Sequence, residues 1–253
     1  MWLAIYTLWL RDLVRFVRQR SRVVGAFATP IVFWALLGSG LGGSFSMGGA
    51  ERAGGYLHFF FPGTLALIVL FTAIFSTISL IEDRQLGFLQ GVLVAPVSRA
   101  AIVLGKMLGG TTLALVQAGV FLLLAPVAGI TVSAAQLPAL LLVLTLLAFA
   151  LTGLGFVIAW WLDSTQGFHA IMNLLLVPMW VLSGAVFPAS GAAPWLRPLM
   201  RVNPMTYGVS GLQEILIGQT SGPSFGTAIT ATLLFGLIML GAGTVLASRR
   251  AQG

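Results

Sequence analysis

Residues 82–99 read EDRQLGFLQGVLVAPVSR and lie between two long apolar segments of the chain. Three consecutive charges, Glu82, Asp83 and Arg84, open the stretch, although only 8% of all residues are charged. Its middle has the pattern of a short amphipathic helix, and Pro96 is expected to end that helix. The stretch therefore predicts a short helix along a membrane surface, placed where a separate soluble partner can grip it.

The composition around this stretch is that of a membrane protein. Of the 253 residues, 58% are hydrophobic, whereas soluble domains are roughly 45–50% apolar and about 25% charged. Such a surface requires lipid as its solvent. We expect an all-α fold in which residues 1–253 form one polytopic domain. Six apolar segments are long enough to span a bilayer: 23–41, 59–81, 102–130, 137–162, 168–187 and 226–246.

The net charge of +7 indicates membrane orientation and not nucleic-acid binding, since the basic residues cluster at the ends of apolar runs. Six spans put both termini on one side, and that side holds ten of the thirteen Lys and Arg residues. The positive-inside rule predicts that both termini, residues 82–101 and the loop 163–167 are cytoplasmic. The ten are Arg11, Arg15, Arg18, Arg20, Arg22, Arg84, Arg99, Lys106, Arg249 and Arg250; the other three are Arg52, Arg197 and Arg201.

The segments that flank the spans carry their own patterns. Residues 2–22 predict an amphipathic interfacial helix with a basic face, or simply a positive anchor that fixes topology. Lys106 lies near enough to the start of its span to snorkel to the interface, and Gly105 and Gly109 have the spacing of a helix-packing motif. Residues 188–225 are broken by prolines into apolar pieces too short to span, which predicts external interfacial or re-entrant helices.

The residues provide no set of groups that identifies an enzyme. There is no Cys, and His58 and His169 form no local metal motif. Gly105-Lys106 fails as a phosphate-binding loop, because Ala100 replaces the earlier glycine and Met107 replaces the Ser or Thr. The six acids all lie outside the predicted span cores, which argues against an ion-coupled transporter. We therefore expect no ATPase, cofactor or metal in this chain, and an energy source in a partner.

The order of motifs resembles the permease subunits of type-2 ABC exporters, over nearly the whole chain. The basic amphipathic start is followed by Glu-Asp-Arg-x-x-Gly-x-Leu at residues 82–89, Leu-Val-Ala-Pro-Val-Ser-Arg at 93–99 and Gly-Lys at 105–106. The external segment contains Gly-Ala-Val-Phe-Pro at 184–188, Pro-Trp-Leu at 194–196 and Asn-Pro-Met-Thr-Tyr-Gly at 203–208. The nearest likeness is to permeases of daunorubicin-resistance-type drug efflux and of lipo-oligosaccharide or polysaccharide export.

This resemblance implies a bacterial plasma-membrane assembly of two permeases, here expected as a homodimer, and two cytosolic ABC ATPases that hold ATP and Mg²⁺. It makes residues 82–100 the coupling helix, gives the N-terminal helix and the loop at 163–166 further ATPase contacts, and makes Asn203, Pro204 and Tyr207 structural. The residues assigned to ATPase contact or coupling are Glu82, Asp83, Arg84, Gly87, Leu89, Pro96 and Arg99.

A translocation pathway is expected at the dimer axis, lined by the second and fifth spans. The candidates are Phe71, Thr72, Phe75, Met172, Asn173, Met179 and Trp180. An apolar pathway rich in Met and Phe suits an amphipathic drug, a lipid or a lipid-linked glycan exported from the cytoplasm. The alternatives are a membrane anchor or assembly protein that transports nothing, and an intramembrane enzyme.

Overall fold

The structure, a computed structural model, describes residues 2–18, 31–32, 34–36, 55–218 and 222–249. These residues are helical throughout, with short connections and no strand among them. The principal helices in chain order are α1 Trp2–Arg18, α2 Gly55–Ser76, α3 Ile78–Gln85, α4 Phe88–Val94, α5 Arg99–Leu122, α6 Leu137–Trp161, α7 Thr165–Trp180, α8 Leu196–Val202, α9 Pro204–Ile217 and α10 Phe225–Arg249.

Five stretches of these helices are long and apolar enough to cross a membrane: Tyr56–Gln85, Arg99–Leu122, Leu137–Trp161, Thr165–Ala185 and Phe225–Ser248. They correspond to the last five predicted spans, so the prediction of a polytopic helical protein is confirmed at that level. The first predicted span, 23–41, lies mostly outside the described residues. The third is shorter than predicted, because α5 ends at Leu122 and a 3₁₀ turn, Ala125–Ala128, follows it.

The helices begin where the sequence supplies caps. The Ser98 side chain accepts a hydrogen bond from the Ala101 amide at the start of α5, and Ser164 caps α7 in the same way. Asn203 accepts from the Met205 amide, with Pro204 as the first residue of α9. These contacts satisfy amides that a helix start leaves without partners.

The core forms where α2, α5 and α6 pack together, and α9 inserts against α2, α6 and α10. The largest fully buried side chains include Phe60, Phe61 and Phe121, and the last two rings are stacked at 4.7 Å. A Cβ at Gly110 would lie only 2.6 Å from the Thr152 methyl group. Glycine at this position therefore allows α5 and α6 to approach closely.

Helix α7 ends in an irregular turn, and side chains from the region of α9 bind the carbonyls there. Residues Val181–Ala185 form a π turn in which Gly184 has φ 87°, a value that favours glycine. The side chain of Asn203 donates to the Met179 carbonyl at 2.6 Å, and that of Gln213 donates to the Gly184 carbonyl at 3.1 Å. Side chains of α9 and of its N-cap residue thus bind carbonyls at the irregular turn, as a non-aqueous setting requires. The external or re-entrant placement of 188–225 stays a prediction.

Candidate functional site

Six charged side chains from three helices meet at the start of the 82–99 stretch. We call them the ion-pair cluster. They are Arg11, Asp12 and Arg15 of α1, Glu82 and Asp83 of α3, and Lys106 of α5. Three cations face three anions, so the cluster has no net charge when all six groups are ionised.

Asp83 is at the centre of the cluster and none of its side-chain surface is exposed. Arg11 binds it with two nitrogens, at 2.6 Å and 2.8 Å. Arg15 donates to Oδ1 at 3.0 Å, and Lys106 donates to Oδ2 at 2.7 Å. Charge-assisted and bidentate bonds are the strong ones in proteins, so Asp83 ties α1 and α5 firmly to α3.

Lys106 does not snorkel as its position in the sequence suggested. Its side chain is 4% exposed, and its Nζ lies 2.9 Å from Asp12 Oδ1 and 3.2 Å from Ser79 Oγ, in addition to the bond to Asp83. All three ammonium donors therefore have acceptors inside the protein. The reason for the difference is that α1 covers this face of α5 and brings an anion, Asp12, to the lysine.

Glycines on α5 allow α1 to lie so close. A Cβ at Gly105 would stand 3.0 Å from the Leu8 Cβ, and one at Gly109 would stand 3.3 Å from the Asp12 Cβ. Ile5 and Leu8 are buried against this surface. The predicted packing role of the two glycines is confirmed, and their partner is α1.

Burial raises the pKa of Asp12 above its ordinary value of 3.8, while the charge and the hydrogen bond of Lys106 act in the opposite direction. The hydrogen bond that Asp83 accepts from Arg11 raises the pKa of the Arg11 guanidinium, against the effect of burial. The arginine therefore stays charged at any physiological pH. The ionised form of Asp12 is therefore destabilised by burial and stabilised by Lys106.

Arg84 binds the other side of α3 to the end of α6 and to the short connection at 162–164, whereas the predicted loop residues 165 and 166 already belong to α7. Its guanidinium donates to the Trp160 and Leu162 carbonyls at 3.0 Å and 3.2 Å and pairs with Asp163 at 2.7 Å. Gln85 donates to the Asp163 carbonyl at 2.9 Å. A cation that binds the last carbonyls of a helix is a favourable cap, so Arg84 holds the end of α6 and the loop that follows it.

Beyond Gln85 the chain turns at Gly87, whose φ of 75° is left-handed, and α4 follows. Leu86 and Val94 are 73% and 84% exposed. The ring of Phe88 lies under the Arg11 guanidinium at 3.7 Å. The 82–99 stretch thus divides into a charged part bound inside the protein and an apolar part open at the surface.

The predicted coupling residues fall into three groups. Asp83 and Leu89 are buried, so neither side chain is open to a partner in this conformation. Glu82, Arg84 and Arg99 are half-buried, and Gly87 and Pro96 are exposed.

The predicted pathway residues are likewise divided. Asn173 is exposed, whereas Phe71, Phe75 and Met179 are half-buried. Three are buried within the protomer: Thr72, which bonds Gln117; Met172; and Trp180, which donates to the Gly63 carbonyl at 2.8 Å. The α2 and α7 positions therefore meet, but only part of the set faces outward.

Sequence reasoning missed the inward roles of Arg11, Asp12, Arg15 and Lys106. Two signals were present: Asp12 is an acid on an otherwise basic helix, and Lys106 lies between the two packing glycines. Within the described ranges, no group of three or more His, Asp or Glu side chains could hold a metal ion.

Apolar spans joined by a buried ion-pair cluster define a polytopic membrane protein. Its family is identified by comparison: the family model described as ABC-2 type transporter matches residues 3–217, and the chain belongs to this family. It is therefore a permease of the type-2 ABC class, and membership implies association with ABC ATPase subunits.

Curated relatives cover most of the chain. Inner membrane transport permease YadH of Escherichia coli K12 is 26% identical over 255 residues, which cover 94% of this chain and 93% of that protein. Nodulation protein J of Rhizobium leguminosarum bv. viciae is 28% identical over 222 residues, which cover 86% and 83%. Both alignments thus extend over most of this chain and most of the relative.

Proposed function

We propose that this chain is the membrane-spanning subunit of an ATP-driven exporter that moves an amphipathic drug, lipid or lipid-linked glycan out of the cytoplasm. Two copies and two cytosolic ATPases form the working unit, in a bacterial plasma membrane with both permease termini in the cytoplasm. The observation that carries this proposal is the ion-pair cluster, because it links a surface helix to the ends of two spans in a chain of the ABC-2 family.

The apolar surface around α4 is the docking contact in this proposal. Leu86, in the turn before α4, and Val94, the last residue of α4, are large apolar side chains with most of their surface exposed, and exposed apolar surface marks interaction sites. Glu82, Asp83 and Arg84 then act as coupling residues behind the contact, by holding α3 to α1, α5 and the loop at 163–166.

Coupling follows from how the helices are joined. ATP-driven closure of the ATPase pair displaces α4, and Asp83 transmits the displacement to α1 and α5 while Arg84 transmits it to the loop after α6. A packed unit of this kind moves as a rigid body. The spans at α2–α3 and α5 tilt together, which opens or closes the pathway between the two copies.

Co-reconstitution with a cytosolic ABC ATPase that co-purifies with this chain tests the proposal. We expect Leu86→Glu to abolish co-purification of the ATPase, whereas Asp83→Asn keeps the complex but lowers transport-coupled ATP hydrolysis at least tenfold. Leu123→Glu is the matched control, because Leu123 is 76% exposed at the far end of α5. An ATPase that binds Leu86→Glu as well as the parent chain would show that the surface around α4 is not the docking contact.

A further inference from the structure

A groove lies along one face of α1, beside the face that packs on α5. Its volume is about 550 Å³, which is within the range of roughly 300–1,000 Å³ typical of small-molecule sites. Spacings of three and four residues place its lining on one side of the helix. We call it the α1 groove, and the described residues that line it are Thr7, Leu10, Arg11, Val14, Arg15 and Arg18.

An exposed apolar stripe borders the α1 groove. Ile5, Leu8 and Asp12 form the buried side of α1, and at 3.6 residues per turn the stripe lies on the opposite side of the helix. Leu10 and Val14 belong both to the stripe and to the groove, so the stripe forms one edge of the groove. The members of the apolar stripe, with exposed fractions from 40% to 79%, are Leu3, Tyr6, Leu10, Val14 and Val17.

The arginines of the groove differ in how their charge is balanced. Arg11 and Arg15 pair with Asp83 and Glu82 inside the ion-pair cluster, which is neutral as a whole. Arg18 is exposed and forms no ion pair within the part of the chain that the structure describes. Arg15 pairs through its two terminal nitrogens, and a guanidinium has five N–H donors in all. The groove therefore offers one unbalanced cation and spare donors beside it.

A single negative charge attached to an apolar chain matches this arrangement. Guanidinium groups bind phosphate oxygens through paired N–H donors, and an apolar helix surface accepts an acyl chain. The headgroup of phosphatidylcholine or phosphatidylethanolamine would bring a second cation towards three arginines. Phosphatidylglycerol has only the charge of its phosphodiester, so an anionic phospholipid is the better match to the groove.

We propose that the α1 groove binds one anionic phospholipid, with the phosphodiester against Arg18 and Arg15 and an acyl chain along the apolar stripe. General attraction between a basic helix and an anionic membrane depends on the number of cations, whereas a site depends on particular residues. The proposal involves neither the cargo nor the docking surface around α4, so it does not rest on the proposed function.

A cysteine in place of Val14 reports on the groove, because Val14 lines it and the chain has no cysteine of its own. In the purified full-length chain in non-ionic detergent, we expect dioctanoyl phosphatidylglycerol to slow labelling of Val14→Cys by an uncharged maleimide at least threefold. Dioctanoyl phosphatidylcholine and inorganic phosphate at the same concentration should leave the rate unchanged. Leu123→Cys, exposed beyond the far end of α5, should be labelled at one rate throughout. Slowing by phosphatidylcholine, by inorganic phosphate or at both cysteines alike would contradict the site.

Two variants that each remove one positive charge separate a site from general attraction. With Val14→Cys as the reporter, we expect Arg18→Gln to abolish protection by phosphatidylglycerol and Arg249→Gln, at the end of α10, to keep it. Leu10→Asp should also abolish protection, since it places an anion at the edge of the groove while Arg18 is intact. Protection that survives either groove variant, or that both arginine variants reduce equally, would overturn the proposal.

Other occupants of the groove give different results. If another segment of the chain filled it, Val14→Cys in lipid-free detergent would be labelled at least a hundredfold more slowly than in the chain denatured with sodium dodecyl sulfate. If a cytosolic ATPase filled it, the ATPase alone would slow the labelling without added lipid. Either result would overturn the phospholipid site.

Discussion

Asp83 balances the charge of the ion-pair cluster, because three cations converge on its two oxygens. Removing its charge leaves a surplus cation in a buried site, and breaking a buried pair costs about 3–5 kcal/mol. We therefore expect Asp83→Asn to lower the free energy of unfolding by about that amount, seen as a fall in the thermal midpoint of the purified protein in detergent.

Glu82 is the matched control on the same helix. Its side chain is 27% exposed and its partner, Arg15, is 24% exposed, so Glu82→Gln should cost about 1 kcal/mol or less. Equal losses in the two variants would mean that burial of Asp83 contributes nothing special to the cluster.

Asp12 adds a pH dependence of definite sign. Its pKa is raised in the folded protein by burial, so the folded state binds the proton more tightly than the unfolded state does. The corresponding stability is fully present below pH 3.8, the ordinary value, and is lost as pH rises through the raised pKa.

The measurement compares the thermal midpoints of the parent chain and Asp12→Asn across the acid range. We expect the midpoint of the parent, relative to that of the variant, to fall as pH rises above 3.8. A relative midpoint that rises over this range would contradict the raised pKa.

At the scale of elements, the seating of α1 on α5 depends on the absence of side chains at two positions. A side chain at Gly109 meets the Asp12 Cβ at 3.3 Å, and overpacking of this kind costs about 1–3 kcal/mol. We expect Gly109→Leu to separate α1 from α5, so that amide hydrogen exchange in α1 becomes at least tenfold faster.

Gly119→Leu on the same helix serves as the control, since a Cβ there meets nothing within 4 Å. Exchange in α1 should be unchanged in that variant. Protection of α1 that survives Gly109→Leu would show that the ion-pair cluster alone holds the helix.

The sequence predicts elements well where one local pattern suffices. The apolar runs are long enough to mark five spans, Pro96 lies just beyond the end of α4, and the spacing of Gly105 and Gly109 indicates close packing. The sequence does not predict which helix packs against those glycines. The Lys106–Asp12 bond joins residues 94 positions apart, and such a pairing becomes visible only once α1 is placed on α5.

The repair of the π turn after α7 shows the same limit. Pro178 and Gly184 mark an interruption of the span, and the sequence shows that much. The donors that satisfy it are Gln213 of α9 and Asn203, the N-cap of that helix. The sequence motif assigns Asn203 a structural role but does not show which carbonyl it binds, and it gives no sign of the role of Gln213.

At the scale of the whole molecule, orientation is the property that every functional proposal assumes. The excess of Lys and Arg on one side predicts cytoplasmic termini. We expect reporter fusions in the loop at 163–167 and after residue 249 to be active only as cytoplasmic reporters, and fusions at residue 192 only as external ones. A cytoplasmic signal at residue 192 would show that the topology is the reverse of the predicted one. In that case α4 would lie outside the cell, where a cytosolic ATPase cannot bind it.

The neutrality of the ion-pair cluster also bears on how the chain is made. Arg11 and Asp83 are 72 positions apart, and Lys106 comes later still. During synthesis the arginines of α1 therefore emerge without their acids and are free to act as retention signals at the insertion machinery. Only after α5 has entered the membrane does the cluster close and cancel those charges. We therefore expect the same side chains to serve first as topogenic signals in the nascent chain and then to join the helices of the mature protein, with docking of α1 as a late step of biogenesis.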